Sequence, residues 1–458
     1  MSSFKFSFNL SPPTPPNNGA IGARNEVGQQ ENNPPSSITI DNVDNKPIAT
    51  KPIEILNASK LLPLFRRKTH ANDWDYDEVH LSQQNLSDEN PDRYCNIDPL
   101  RRLKTSDTKS HNSSRDEHST AESANEIATI TNAIVDEKEL IKDQKTDIIP
   151  GVYEGGLKVW ECSVDLCIHL AQELSRLDRE EDAERNMNHL DGSDLPDNDI
   201  RGALSEGGST WELGCGHGLP GCLILRELLK RRRERIWHNS CNNNEGYGSH
   251  SDGKEENNDA IARSNSPMVL FSDYNDFVLR DVTLPSIVLN SLPPSSYSES
   301  TTTKTLDEDE DLDVSLSTLA CLASGDWLNL SDRLLSLNEQ SSHDTVFEEE
   351  QMLKRPIDGR FDLILGAEVT YSVSSTKDTV LLLLRHLKVN TGIGLVATKR
   401  YYFGVGGGMD LFREIASREV ISLNDVTYCL FVEKVKSYDC GKANIRDLLR
   451  IRCIQRQT

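Results

Sequence analysis

Trp211-Glu212-Leu213-Gly214-Cys215-Gly216-His217-Gly218-Leu219-Pro220-Gly221 is the stretch whose reading decides the fold. Residues 209–213 read as a short strand that runs straight into Gly214. Residues 221–233 read as a helix opened by Pro220 near its first turn, where proline is tolerated. Glycines between a strand and a helix let the chain turn sharply and let backbone approach a ligand. A literal G-x-G-x-x-G stands at Gly216, Gly218 and Gly221, and alone it would permit a nicotinamide dinucleotide. Glu212 pulls the other way: it lies just before the first glycine, placed to meet a cationic amino group.

Strands and helices alternate outward from this loop. Residues 269–272 form a second strand, followed over 276–289 by a helical period that Pro285 interrupts. Residues 315–324 offer a third strand, and 361–366 an apolar one of the buried, parallel-sheet type. The series continues with a helix over 377–387, a strand over 394–398 and a helix over 409–418. Two strands, 427–435 and 449–454, close it, with Gly441 in the turn between them. The expectation is an α/β fold with a mostly parallel sheet and an antiparallel C-terminal edge.

The strand tips carry the next candidates. The second strand ends in Ser272-Asp273-Tyr274-Asn275, and a carboxylate there is placed either to hold ribose hydroxyls or to cap the strand end. The usual interval from glycine loop to this acid is ~20 residues; here it is 61, and an insert over 231–266 accounts for the excess. Gly325-Asp326-Trp327 follows the third strand, where an indole offers adenine a flat face and Asp326 an acceptor. The plainer reading of Trp327 is a side chain burying surface at a loop.

Composition narrows the rest. The chain has 458 residues, but only 36% hydrophobic and 6% aromatic, so part of it must be solvated. A net charge of −23 argues against direct nucleic-acid binding and favours a basic partner. The ten cysteines include no CxxC pair, so neither a zinc site nor a disulfide framework is expected. No apolar run approaches the ~18 residues of a membrane span, and no signal peptide is legible. An intracellular, reduced, soluble protein is expected. Residues 1–146 read as a largely disordered tail, with apolar islands at 4–8 and 53–65 that are either docking elements or merely sticky. Polar inserts are expected near 231–266, 291–313 and 332–359. The remainder of 147–458 suits a single domain.

The spacing Glu212-x-Gly214-x-Gly216-x-Gly218 is the pattern of S-adenosylmethionine-dependent methyltransferases. Gly155-Gly156-Leu157-Lys158-Val159-Trp160-Glu161-Cys162, the Asp273-Tyr274-Asn275 segment, Val282-Thr283-Leu284-Pro285, Gly325-Asp326-Trp327 and Phe361-Asp362-Leu363-Ile364-Leu365 occur in the order seen in histidine protein methyltransferases. Tyr402-Phe403-Gly404-Val405-Gly406-Gly407-Gly408 is the most distinctive piece, and Phe4-Lys5-Phe6-Ser7-Phe8-Asn9 is similar to the family's start. The chain thus resembles that family over most of 150–430 outside the inserts.

The resemblance implies a Rossmann-like, seven-strand methyltransferase fold. It also implies methyl transfer from S-adenosyl-L-methionine to the tele nitrogen of one histidine in a large-subunit ribosomal protein. A monomer, cytoplasmic and nuclear, is expected. The cofactor contacts it implies fall on Val159, Trp160, Glu161, Cys162, Ser163, Glu212, Gly214, Gly216, Gly218, Asp273, Tyr274, Gly325, Asp326, Trp327 and Ala367. Glu212 stands where Asp is commoner, and Ala367 where a Ser or Thr is often found.

For the chemistry, Glu368 is the candidate to accept the N–H of the acceptor imidazole, with Tyr371 three residues on; the alternative is that Glu368 caps a helix or pairs with a lysine. Tyr402 and glycines 404–408 are expected to line the substrate side. His217 is expected to be an exposed loop histidine, and Cys162, Cys215 and Cys222 small packing residues. Rival functions are a lysine or small-molecule methyltransferase on the same fold, and a ribosome-assembly factor with a broken cofactor site.

Overall fold

The computed structural model describes residues 51–56, 76–79, 99–103, 153–186, 199–243, 266–291, 315–339, 352–354, 356–423, 426–439, 441 and 444–456. The chain divides into two units, Met1–Pro47 and Ile48–Thr458. The first lies wholly outside the described residues, as does the expected element at 4–8, and every element below belongs to the second.

A nine-stranded sheet runs through the second unit in the order β1-β6-β5-β4-β7-β8-β11-β10-β9. Its strands are β1 (Glu54–Leu56), β4 (Ser209–Leu213), β5 (Met268–Asp273), β6 (Ala320–Ser324), β7 (Leu363–Ala367), β8 (Ile393–Lys399), β9 (Val420–Leu423), β10 (Val426–Tyr438) and β11 (Arg446–Gln455). A separate hairpin pairs β2 (Tyr76–Val79) with β3 (Leu100–Leu103). The block β6-β5-β4-β7-β8 is parallel, and β11 joins β8 antiparallel. The mostly parallel sheet with an antiparallel C-terminal edge is therefore present. Its strand count is nine, because β1 and β9 extend the two edges of the seven foreseen.

Helices cover both faces, and the strands alternate to match. Leu363, Leu365, Leu395 and Leu448 face one core with α1 (Glu161–Asn186), α3 (Leu219–Asn243) and α4 (Leu284–Ser291); a short α2 (Arg201–Leu204) packs there too. Ile364, Val396 and Leu449, the intervening residues, face the other core with α5 (Trp327–Glu339), α6 (Val373–His386) and α7 (Met409–Arg418). The chain steps outward from β4 to β5 to β6, then crosses back to β7 on the other side of β4. That reversal opens a crevice at the carboxyl ends of β4 and β7, where ligands of such sheets bind.

Several boundaries differ from the sequence reading. Residues 231–243 continue α3 and 332–339 continue α5, so those inserts begin later than expected, and Leu353, assigned to an insert, is fully buried. Residues 244–265, 292–314 and 340–351 lie outside the described residues. The third strand is only Ala320–Ser324; 315–319 are helical. Pro285 sits in the first turn of α4, and a π-helical turn, Leu279–Thr283, precedes it.

Within 1–146 the structure decides between the two readings of the apolar island at 53–65. Glu54–Leu56 pairs antiparallel with β6, opposite Leu322–Ser324, and Leu56 and Leu100 are buried. The island at 53–65 is thus, over its described part, a docked edge strand. Asn290 at the end of α4 holds the hairpin as well: its Oδ1 accepts the Arg101 N–H at 2.7 Å and its Nδ2 donates to the Arg101 carbonyl at 2.9 Å. Leu56→Ala should therefore cost roughly 2–5 kcal/mol in denaturant unfolding of the full chain. A cost within about 0.5 kcal/mol, the range of surface substitutions, would mean that β1 does not pack as described.

Candidate functional site

The glycine loop leaves β4 in a conformation that L side chains avoid. Gly214 has φ +54° and Gly216 +51°. A Cβ on Gly214 would meet Trp327 Cζ2 at 3.1 Å, and one on Gly216 would meet the Gly156 Cα at 3.1 Å. Gly218 is also left-handed, and the Cys215 N–H donates to the Ser272 carbonyl at 2.9 Å, pinning the loop to β5. Glu212 does not open onto the crevice as the sequence reading had it. Its carboxylate is buried and accepts the Gly221 N–H at 2.8 Å, bracing the start of α3. Burial pushes its pKa up to about 8, against the pull of the Gly221 N–H.

Asp273, at the tip of β5, ties the neighbouring strand to the same loop. One oxygen accepts the Gly216 N–H at 3.0 Å and the other the Asn275 N–H at 3.1 Å. Burial raises its pKa to about 6. Tyr274 follows, with the Lys51 ammonium 5.6 Å from its ring centroid. Gly325 donates its N–H to the Asp273 carbonyl, and the Pro52 carbonyl lies 2.6 Å from where a Gly325 Cβ would be. Asp326 spends one oxygen as acceptor for the Leu328 and Asn329 N–H groups, capping α5. Trp327 is half-buried against Gly214, and its indole N–H is closed from solvent with no partner among the described residues. A glycine cradle, a flat indole beside it with an unspent donor, and a carboxylate at the β5 tip together fit an adenosine-bearing ligand.

The segment before α1 forms the opposite wall. Tyr153 stacks on Phe277 at 6.0 Å between centroids, and its oxygen accepts the Leu157 N–H at 2.9 Å. Gly156, with φ +100°, passes over Gly216, and the Leu157 carbonyl meets His217 Nε2 at 3.3 Å. His217 is therefore buried, not an exposed loop histidine, and burial holds its pKa down at about 4. Val159 packs against the first core, and Cys162, Cys215 and Cys222 are buried packing residues. Glu161 and Ser163 stand in the first turn of α1, and the half-buried Trp160 lies 5.0 Å from the Lys399 ammonium.

Beyond β7 the half-buried Ala367 leads into Glu368, a non-glycine residue at φ +58°. Such strain persists where surrounding structure enforces it, often at working sites. One Glu368 oxygen pairs with Lys399 Nζ at 2.9 Å and accepts the Tyr402 hydroxyl at 3.4 Å. The other is closed from solvent and has no partner among the described residues. The pairing with a lysine, held open as an alternative, is what the structure contains. Tyr371 donates its hydroxyl to Glu154, and burial and that carboxylate raise the phenol's pKa.

The second glycine run divides in two. Gly407 and Gly408 donate to the Tyr371 and Thr370 carbonyls, and a Cβ on Gly407 would lie 2.1 Å from the Thr370 oxygen. These two lock the loop to the site rather than admitting a substrate. Gly404 meets nothing within 4 Å, and beside it Phe403 is 79% and Val405 52% exposed. Sequence reasoning missed Glu154 and Lys399, and it left the island that includes residues 53–56 open as either a docking element or a sticky patch. Glu154 directly precedes a glycine pair already singled out, and Lys399 ends a strand beside β7, so each had a faint signal; 53–56 had only its apolar character.

No family profile matches the chain. Individual proteins do. Histidine protein methyltransferase 1 homolog of Dictyostelium discoideum is 26% identical over 307 residues, covering 67% of this chain and 60% of that protein. Histidine protein methyltransferase 1 of Schizosaccharomyces pombe is 28% identical over 278 residues, 60% of each chain. The Rattus norvegicus homolog is 26% identical over 275 residues, 60% of this chain and 52% of its own. The chain spans a little over half the length of these curated relatives and is similar to histidine protein methyltransferases, as its motifs indicate.

The buried Glu212 gives a pH signature. Above about 4.5 the unfolded chain has released this proton, whereas the folded chain keeps it up to about 8, so the group's contribution to stability falls as pH rises through that window. Glu212→Gln retains an acceptor for the Gly221 N–H without the ionisation. Denaturant unfolding at pH 5, 6.5 and 8 should show the wild type losing stability relative to the variant at each step. A constant difference would place the carboxylate elsewhere.

Proposed function

We propose that this chain is a protein-histidine N-methyltransferase that moves the methyl group of S-adenosylmethionine to the tele nitrogen of a histidine in a large-subunit ribosomal protein. The observation that carries the reading is the juxtaposition of two features: an adenosine-fitting cradle over Gly214–Gly218, and an exposed apolar lip beside it formed by Tyr401, Phe403, Val405 and Val373. A small-molecule acceptor needs no such lip; a protein acceptor covers it. The net charge of −23 suits a basic ribosomal partner. A monomer working in the cytoplasm and nucleus is part of the same proposal. Among the described residues no helix is long and apolar enough to cross a membrane.

Trp327, Tyr274 and Asp273 would hold the adenosine, and the glycine loop the methionine part, with 159–163 and Ala367 closing the far side. When bound, S-adenosylmethionine supplies an electrophilic methyl on a sulfonium. The protein's own task is position and electrostatics. The acceptor imidazole must be neutral to present a lone pair, and nearby carboxylates stabilise the positive charge that the ring gains as the methyl group arrives. Glu368, neutralised by Lys399, is better suited to fixing Tyr402 and Lys399 than to receiving that proton. We therefore give it a positioning role.

Mass spectrometry of ribosomal proteins from cells lacking this chain should reveal one histidine without its methyl group. In vitro, Gly216→Arg should abolish calorimetric binding of S-adenosylmethionine, because the side chain enters the cradle where Gly156 crosses it. The single-turnover rate should fall as pH drops below the acceptor's pKa of about 6.5 and stay level above pH 8. A rate still climbing between pH 7 and 9 would identify a lysine acceptor, whose pKa is about 10.4. Normal cofactor binding by Gly216→Arg would remove the cradle.

A further inference from the structure

We infer that Glu154 and Tyr371 act as one unit that receives the N–H of the acceptor imidazole, with the Tyr371 oxygen as the contact. The inference rests on the histidine reading above. It starts from the partners that other carboxylates around the crevice already hold, Glu368 and Asp326 through one oxygen each. Glu212 braces Gly221, and Asp273 spends both oxygens on backbone N–H groups. Asp326 caps α5, Glu368 pairs with Lys399, and Glu161 lies 3.7 Å from the same ammonium.

Glu154 and Tyr371 differ from these in where they meet. Tyr371 stands three residues beyond Glu368, on the stretch that leaves β7, and its carbonyl anchors Gly407 at the base of the exposed lip. Glu154 comes from the segment that crosses the glycine loop at Gly216, and its N–H donates to the Asn275 side chain at 3.4 Å. The Tyr371–Glu154 hydrogen bond therefore bridges the cofactor wall and the substrate lip, and both residues are only half-buried.

The donor arithmetic assigns the role. A phenol carries one hydrogen, and Tyr371 gives it to Glu154, which leaves its oxygen only lone pairs. Such an oxygen is an obligate acceptor. A neutral imidazole presents one N–H and one lone pair. With its pros N–H on Tyr371, the tautomer is set and the lone pair rests on the tele nitrogen. That lone pair forms the bond to the methyl carbon, whose former bonding pair stays on sulfur, and the ring becomes cationic. The pros proton then passes to the Tyr371 oxygen as the Tyr371 hydrogen passes to Glu154, which releases it to water. Burial first, and then the charges that bear on the phenol, Glu154, Asp273 and Asp378, all acidic, keep it protonated through neutral pH.

The test compares Glu154→Gln, Tyr371→Phe and the double variant of the full chain. The acceptor is the large-subunit ribosomal protein fraction from cells lacking this protein. Each single change should lower the single-turnover rate roughly a hundredfold, and the double variant should be no slower than the worse single, as expected of residues acting as a unit. Calorimetric affinity for S-adenosylmethionine should not change. Independently of turnover, an ultraviolet difference titration against Tyr371→Phe should show Tyr371 ionising at lower pH in Glu154→Gln, since the carboxylate that opposes ionisation is gone. Full activity in either single variant, losses that multiply, or a defect confined to cofactor affinity would each overturn the inference. If Glu154→Gln melts at a lower temperature, Tyr371→Phe alone decides. A wild-type chain that methylates no histidine fails the function reading and takes this inference with it, whereas an active wild type with active variants fails the inference alone.

Discussion

The hydrogen bond from the Gly216 N–H to the buried Asp273 carboxylate is the contact on which the site depends. It ties the loop after β4 to the tip of β5 and holds Gly216 in the left-handed conformation that brings Gly156 against it. The second Asp273 oxygen fixes Asn275, whose side chain in turn accepts the Glu154 N–H. One carboxylate thereby sets the distance between strand tips, glycine loop and the segment before α1. A buried acid with two backbone donors is stable only while both remain aligned, so the geometry is held tightly.

Three acids are buried near this crevice, and each meets the cost of desolvation differently. Glu212 is raised to about 8 and is largely protonated at neutral pH; Asp273 is raised less, to about 6, with more backbone donors around it. Glu368 carries an ion pair with Lys399, which also lies near the Trp160 and Tyr402 rings. The result is a cluster whose charges are compensated locally before any ligand arrives. Preorganisation of this kind keeps dipoles fixed where charge later changes.

The walls come from distant parts of the chain. Residues 51–56 add an edge strand beside β6 and lay the Pro52 carbonyl over Gly325, while the Glu54 and Asp276 carboxylates pair with Arg280. The Arg446 guanidinium holds Asp165 of α1, and Arg400 holds Asp447 of β11, so the C-terminal strands anchor the helix that opens at Glu161. Gly407 lets the loop after β8 seat on Thr370 and Tyr371, and Gly408 lets it fold back on the Arg400 carbonyl, at distances that no side chain would allow. Removing any one of these would loosen the crevice without touching the glycine loop.

The parallel core was legible in the sequence because its signals are local. Ser209–Leu213 and Met409–Arg418 fall where strand patterning and helical period put them, and the left-handed glycines lie where the strand-to-helix turn demands them. The placement of Asp273 and Trp327 beside the loop follows from the strand order that such a series implies. Three things depended on tertiary structure: the docking of 51–56, whose partner β6 is some 270 positions away; the turning of Glu212 inward to Gly221; and the choice of Lys399 as partner for Glu368. Periodicity and turn chemistry act over a few residues and are written in the sequence. Which buried charge finds which partner depends on the three-dimensional packing of segments remote in the chain, where desolvation makes each acid take the nearest available donor.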